Sequence, residues 1–378
     1  MFWKRITLFK LLGFSVKIDI SWVIIAILIT WSLALGLFPR YFKEFSNITY
    51  WLMGVAGTLG LFASIIFHEL CHSLVARRYG LAIKGITLFI FGGVAEMEEA
   101  PPSAKAEFMM AIAGPISSIL LGAVFYGILI LGKGGGWPDP INGVIGYLAT
   151  INCVLAVFNL LPAFPLDGGR MLRSALWSWK GNLRWATHIS SQIGTGFGMA
   201  LVFLGVLQLL RGNIIGGIWW SMIGIFLQNA ARGSYQQILI RQAFRGEKVR
   251  RFMEPNPITV RPSISIKELI EEFLYKYYFK MFPVVENGKL LGCITSQQVK
   301  GIPRPRWNQF KVGDFVQKCS PLNTIDPEVD ALKALSLMSR TGNSRLMVVE
   351  GDELVGIVAL KDMLTLLTLK MDLEVYEE

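Results

Sequence analysis

Six apolar runs, each close to the ~20 residues that cross a hydrocarbon core, restrict this chain more than any other feature. They fall at about 20–38, 51–77, 107–132, 141–162, 188–210 and 214–231. The segments between them alternate in basic charge. Lys4, Arg5, Lys10 and Lys17 precede the first run. Arg77, Arg78, Lys84 and Lys105 follow the second, and Arg170, Arg173, Lys180 and Arg184 follow the fourth. The intervening loops hold only Arg40 and Lys43, then Lys133, then Arg211. Basic loops stay on the cytoplasmic side, so a multi-pass membrane protein with both termini and its tail in the cytoplasm is expected. The Gly-rich stretch 190–224 leaves the fifth and sixth spans open to a bent or re-entrant course.

Composition agrees. Hydrophobic residues make up 53% of the 378 and charged residues 17%, below the ~25% of ordinary globular domains. The net charge of +10 belongs to the cytoplasmic loops. No basic run is interleaved with base-stacking aromatics, so nucleic acid is not an expected partner. Cys71, Cys153, Cys293 and Cys319 form no CxxC pair, which fits a reducing compartment rather than a disulfide framework. The first run has no small-residue cleavage site and reads as a retained helix.

Two stretches outside the spans read as strands. Phe14, Val16, Ile18 and Ile20 alternate with polar residues, the period of a half-buried strand. Ile86 to Phe91 is a strand-like run ending at Gly92-Gly93, a turn or bend. The two are expected to form a small sheet at the cytoplasmic face.

The chain holds three histidines, and two sit in "HELCH", His68 to His72, inside the second span. At 3.6 residues per turn, His68 and His72 project from one helix face, a spacing at which two neutral imidazoles ligate one zinc ion. Glu69 is about 100° around the helix, free to act as a base on a water that zinc acidifies. Ionisable groups at membrane depth cost roughly 2.5–3.5 kcal/mol each, so three within about one turn are poorly explained as packing.

A catalytic zinc site takes three protein ligands and leaves one position open. The second and fourth spans run in the same direction, and the fourth ends in "NLLPAFPLDGGR", Asn159 to Arg170. Asp167 is the chosen third ligand, in irregular backbone tolerated at that depth only where it lines a cavity. The competing reading is an Asp facing the cytosol. Glu96, Glu98, Glu99 and His188 are rivals; the glutamates look like a solvated turn and His188 a surface or interfacial group. Cys71 lies on another face of its helix and reads as packing. His₂Asp ligation also admits cobalt or iron.

"FHELCH", "AGPISSILLG" (Ala113–Gly122) and "NLLPAFPLDGG", in that order, resemble the site-2 protease family of intramembrane zinc metalloproteases over roughly residues 1–230. The resemblance implies one zinc per chain on His68, His72 and Asp167, with Glu69 as general base. It gives Asn159 a role in positioning substrate or steadying the oxyanion; the alternative is an Asn that bonds across helices. It implies hydrolysis in or near transmembrane segments of membrane-tethered regulatory proteins, in a bacterial-type cell membrane. The region after the second span resembles a membrane-associated β structure whose edge takes an unwound substrate segment by strand addition.

From about residue 246 the long apolar runs stop. Phe282–Val299 repeats as Leu346–Met363 at an offset of 64, each copy reading strand, turn, strand, helix after an amphipathic stretch (Ile266–Tyr277, Ala331–Ser339). The repeat resembles a tandem pair of cystathionine-β-synthase (CBS) domains. The expected plan is a membrane domain at 1–231, a linker at 232–248 and a soluble α/β tail at 249–378, split near 308–309. Such pairs bind adenosine nucleotides through a Thr or Ser followed three residues later by Asp. The first copy keeps Thr295 but has Gln298; the second keeps Asp362 but has Ala359. The alternative is a ligand-free module for homodimerisation or docking. Two other functions compete for the whole chain: a CBS-regulated membrane metal transporter, and a non-catalytic zinc-binding membrane protein.

Overall fold

The computed structural model describes residues 5–81, 83–89, 92–97, 101–244 and 246–374. They divide into two compact units, Met1–Gln236 and Gln237–Glu378. Glu98 and Glu99 lie outside the described residues, as does the side chain of Glu96.

The first unit opens on a hairpin, β1 (Arg5–Leu11) and β2 (Phe14–Asp19). Phe14 and Val16 are buried, which is the alternation the sequence carries. Asp19 ends β2 and caps the next helix, its side chain accepting from the Ser21 N–H. The first span is α1 (Ile20–Ser32), a π-helical turn over Leu33–Leu37 and α2 (Phe38–Tyr41). Then come α3 (Asn47–Arg78), β3 (Ile83–Phe89), β4 (Gly92–Met97), α4 (Ala104–Gly134) and α5 (Asp139–Asn159). The unit closes with α6 (Asp167–Lys180), α7 (Leu183–Leu210) and α8 (Ile214–Ala243), whose last residues belong to the second unit. Polar residues set the starts: the side chains of Ser46, Ser103 and Asn182 accept the N–H of Thr49, Ala106 and Trp185, supplying the acceptors that free helix N-termini lack.

Among the described residues, six helical stretches are long and apolar enough to cross a membrane. Leu59, Leu120 and Phe203 stand exposed on them, as lipid-facing positions do. The most enclosed is α3, packed against α1, α4 and α5. The fifth and sixth spans are full helices rather than a re-entrant segment. Their glycines serve close approach, Gly198 facing Gly224 and Gln228, and Gly205 facing Gly217 and Ser221. Small residues at such contacts let backbones meet where lipid gives no hydrophobic drive.

The four strands form one sheet, ordered β1-β2-β3-β4. The expected pairing is present: β2 runs parallel to β3, Val16 opposite Ile86. Gly92 and Gly93 are not the turn but the first residues of β4, an edge strand paired antiparallel with β3.

The interval 232–248 is not a simple linker. Helix α8 runs on to Ala243, and Ile240, Ala243, Phe244 and Val249 pack into a core of the second unit. That unit contains β5 (Met253–Pro255), α9 (Ile266–Glu268) running through a π-helical stretch into α10 (Tyr275–Tyr277), β6 (Met281–Glu286), β7 (Lys289–Thr295) and α11 (Ser296–Lys300). Then follow β8 (Gln317–Lys318), β9 (Thr324–Ile325), α12 (Ala331–Thr341), β10 (Arg345–Glu350), β11 (Glu353–Ala359) and α13 (Leu360–Glu374). The repeat is therefore β6-β7-α11 against β10-β11-α13. The copies exchange strands. β5, ahead of the first copy, pairs with β11 of the second, and β8, ahead of the second, pairs with β7 of the first. Met281, Cys293 and Met347 join the copies in one small core.

Candidate metal centre

The second span places the two histidines as the periodicity requires. His68 and His72 are each 5% exposed on α3, with ring centroids 4.7 Å apart and Nε2 atoms 3.1 Å apart. Asp167 reaches the same point from elsewhere. Its Oδ2 lies 3.0 Å from His68 Nε2 and 3.1 Å from His72 Nε2. These are the three residues the sequence selected, and their ligand atoms converge within one buried site.

Asp167 does not end the fourth span. Helix α5 stops at Asn159, and the chain passes through 160–166 before Asp167 opens α6. The return is tight enough to require glycine: a Cβ at Gly168 would overlap the Leu160 carbonyl, and one at Gly169 the backbone of Phe164. A carboxylate in the first turn of a helix is favoured by the backbone dipoles.

Helix α4 orients both imidazoles. His72 Nδ1 lies 2.6 Å from the Met110 carbonyl oxygen, which only accepts, so the ring donates from Nδ1 and a neutral His72 turns a lone pair inward at Nε2. His68 Nδ1 lies 2.9 Å from Ser118 Oγ. Between them on the same helix stripe, Gly114 covers the site: a Cβ there would overlap both Nε2 atoms. The cluster has the form of a metal site with its outer hydrogen bonds in place. Ligands 2.0–2.2 Å from one tetrahedral zinc ion stand roughly 3.3 Å apart, near the separations found. The residues present fit zinc.

Glu69 is half-buried beside His68, and its Cγ packs on the backbone of Gly93 at the start of β4. The base proposed from sequence thus lies between the ligand pair and a sheet edge. Asn159 is half-buried at the end of α5, and its side chain makes no hydrogen bond among the described residues. His188 is apart from the cluster, its ring 4.9 Å from that of Tyr235. Cys71 is half-buried and does not join the ligands. Met110, Gly114 and Ser118 escaped the sequence reading, although the last two lie in the quoted "AGPISSILLG".

In the second unit, the first nucleotide half-motif is closed upon itself. The Thr295 N–H and hydroxyl both donate to Gln298 Oε1, at 2.7 and 3.0 Å, and Gln298 Nε2 donates to the Phe315 carbonyl at 2.9 Å. Asp362 is exposed in the first turn of α13.

Comparison with known proteins fits this picture. The pattern of peptidase family M50 matches residues 56–143 and 138–204, and the CBS-domain pattern matches 249–301 and 312–369. A relative from Mycobacterium tuberculosis named zinc metalloprotease Rip3 is 34% identical over 96% of this chain and 92% of its own. Zinc metalloprotease MJ0392 of Methanocaldococcus jannaschii is 33% identical over 99% and 98%. The solved site-2 protease from Methanocaldococcus jannaschii aligns with 61% of this chain and 94% of its own at 30% identity, with a TM-score of 0.42. The chain belongs to the site-2 protease family, peptidase family M50, as a multi-pass membrane member with a tandem CBS pair.

Proposed function

We propose that this protein is an intramembrane zinc metalloprotease that cleaves a membrane-spanning regulatory protein within or beside its transmembrane segment. The observation that carries the reading is the meeting of His68, His72 and Asp167 around one point, with Glu69 at its side. Zinc held there supplies a Lewis acid and an acidified water. The Glu69 carboxylate takes the water's proton and returns it to the leaving amine nitrogen. Met110 and Ser118 keep the imidazoles turned inward. An intact Glu69 disfavours a purely structural zinc site, and the scarcity of ionisable groups in the outer halves of the spans disfavours a transporter.

A transmembrane helix keeps its backbone hydrogen-bonded internally and has to unwind before water reaches a carbonyl. β4 offers the means: an edge strand beginning beside Glu69, on which an unwound segment adds as a further strand. Asn159 is assigned to the substrate side of the site. Both termini and the tail face the cytoplasm in this reading, which the basic loops support. The tail regulates the membrane unit, through a homodimer contact or through an adenosine nucleotide at Asp362; the open cleft of about 450 Å³ on the same helix is lined by Ser344, Leu360, Lys361, Leu364, Thr365 and Thr368, and not by Asp362 itself.

The test uses purified full-length protein, zinc and a single-span substrate. The parent cleaves and Glu69→Gln does not, with equal zinc in both. Cleavage by both removes Glu69 as base, and zinc content unchanged by His68→Ala removes the site.

A further inference from the structure

Glu107 is fully buried in the first turn of α4, and Arg173 of α6 is 8% exposed. Arg173 Nε donates to Glu107 Oε1 at 2.8 Å, and its Nη2 donates to the same oxygen. The other contact of the guanidinium is aromatic: its Cζ lies 4.8 Å from the ring centroid of Phe164. Phe164 belongs to the segment that delivers Asp167, and its backbone is wedged against Gly169 and Gly194. Arg173 therefore ties α4 to both the helix and the loop that carry the third ligand.

A pair of charges buried this deeply is weak support for stability, because desolvation offsets the attraction. Glu107 Oε2 is also buried without a hydrogen bond, a cost that a merely stabilising pair would not carry. The best-attested use of such a buried pair is to fix register. Glu107 stands three residues before Met110, whose carbonyl fixes His72, and Arg173 stands six residues after Asp167. We propose that the Glu107–Arg173 pair sets the register of the Asp167 helix against the helix that orients both imidazoles, and so governs how tightly the metal is held. Both are positioning residues. The inference rests on the zinc reading above.

The experiment measures zinc release from the full-length chain into an excess of chelator, alongside the thermal unfolding midpoint of the metal-free chain, which weaker zinc binding cannot lower by linkage. It compares the parent, Arg173→Lys, Glu107→Gln and the double variant Glu107→Leu/Arg173→Met. Losing an outer-sphere partner weakens metal binding by about 10–100-fold; the pair acts through that shell, by way of Met110 and the Asp167 helix, so release about tenfold faster is expected in each. The apolar double variant is expected to unfold at or above the parent's midpoint. Fast release with an unweakened fold is the signature of positioning. Release at the parent's rate overturns the proposal, as does a release rate that tracks the unfolding midpoint through the series. If the double variant does not fold, Arg173→Lys carries the same decision, since it keeps the charge and loses the planar fork. A parent that holds zinc no more tightly than His68→Ala would instead remove the metal reading itself.

Discussion

Gly93 of β4 lies directly on the side chain of Glu69: a Cβ at position 93 would stand 2.6 Å from Glu69 Cγ and 3.4 Å from Oε1. The strand edge and the proposed base are therefore one construction. Any side chain at 93 has to displace the base or the strand. Misplacing a catalytic group by about 1 Å costs on the order of 10²-fold in rate. Gly93→Val is expected to lower kcat/KM by about that factor while zinc content by elemental analysis stays at the parent level. Full activity in Gly93→Val would separate β4 from the base.

Gly114 makes the complementary case on the metal side. Its missing Cβ leaves the space that both Nε2 atoms face. Gly114→Ala adds one methyl to a helix, where Ala is intrinsically favoured by roughly 1 kcal/mol over Gly, so the helix itself does not suffer. The ligands do. The variant is expected to bind little zinc, and chelator, which lowers the parent's unfolding midpoint by removing a bound ligand, is expected to leave the variant's midpoint unmoved. A parent-like zinc content in Gly114→Ala would show that the imidazoles have room to retreat.

These two glycines show where sequence reading stops. The convergence of His68, His72 and Asp167 was legible because metal chemistry asks for residue type and helical spacing together, and packing explains His68, Glu69 and His72 in an apolar run poorly. Strand β2 was legible by its alternation. Gly93 read as a turn, and Gly114 stood inside a family motif with no role of its own, since a glycine's use is set by what approaches it. Helix α6 went unseen for another reason. Its charged residues, Arg170, Arg173 and Lys180, look like a cytoplasmic loop to any search for apolar runs, yet Arg173 is buried and paired. The same blindness cut the sixth span at 231, where α8 turns polar but remains helical to Ala243.

Asn152 is a second polar group that the membrane unit has absorbed. It is fully buried on α5, and its Nδ2 donates to Ser64 Oγ at 3.0 Å and to the Leu148 carbonyl at 2.8 Å. Ser64, one turn ahead of His68 on α3, in turn donates to the Gly60 carbonyl. Interhelical hydrogen bonds in membranes contribute about 0.6 kcal/mol on average and up to about 1.7. Asn152→Leu is expected to lower unfolding stability by an amount in that range and to leave zinc release unchanged. Accelerated zinc release would mean that this bond, too, tunes the metal site.

In the tail, Gln298 occupies the place of the absent Asp and has turned inward. Its Oε1 takes both the N–H and the hydroxyl of Thr295, and its amide caps the Phe315 carbonyl. A ribose approaching this copy finds no free hydroxyl donor and no carboxylate. Asp362 in the second copy is exposed and unencumbered by a comparable cap. Calorimetric titration of the full-length chain with AMP and ATP is therefore expected to give at most one site per chain. Asp362→Ala should weaken it by about 10–100-fold, the size of a lost hydrogen bond to a charged group, and Thr295→Val should change it less than twofold. Two sites per chain, or a loss on Thr295→Val alone, would reverse the assignment of the halves. Silence with both nucleotides would leave the tail as a docking or dimerisation module, since the same strand exchange that joins the copies needs no ligand to hold them together.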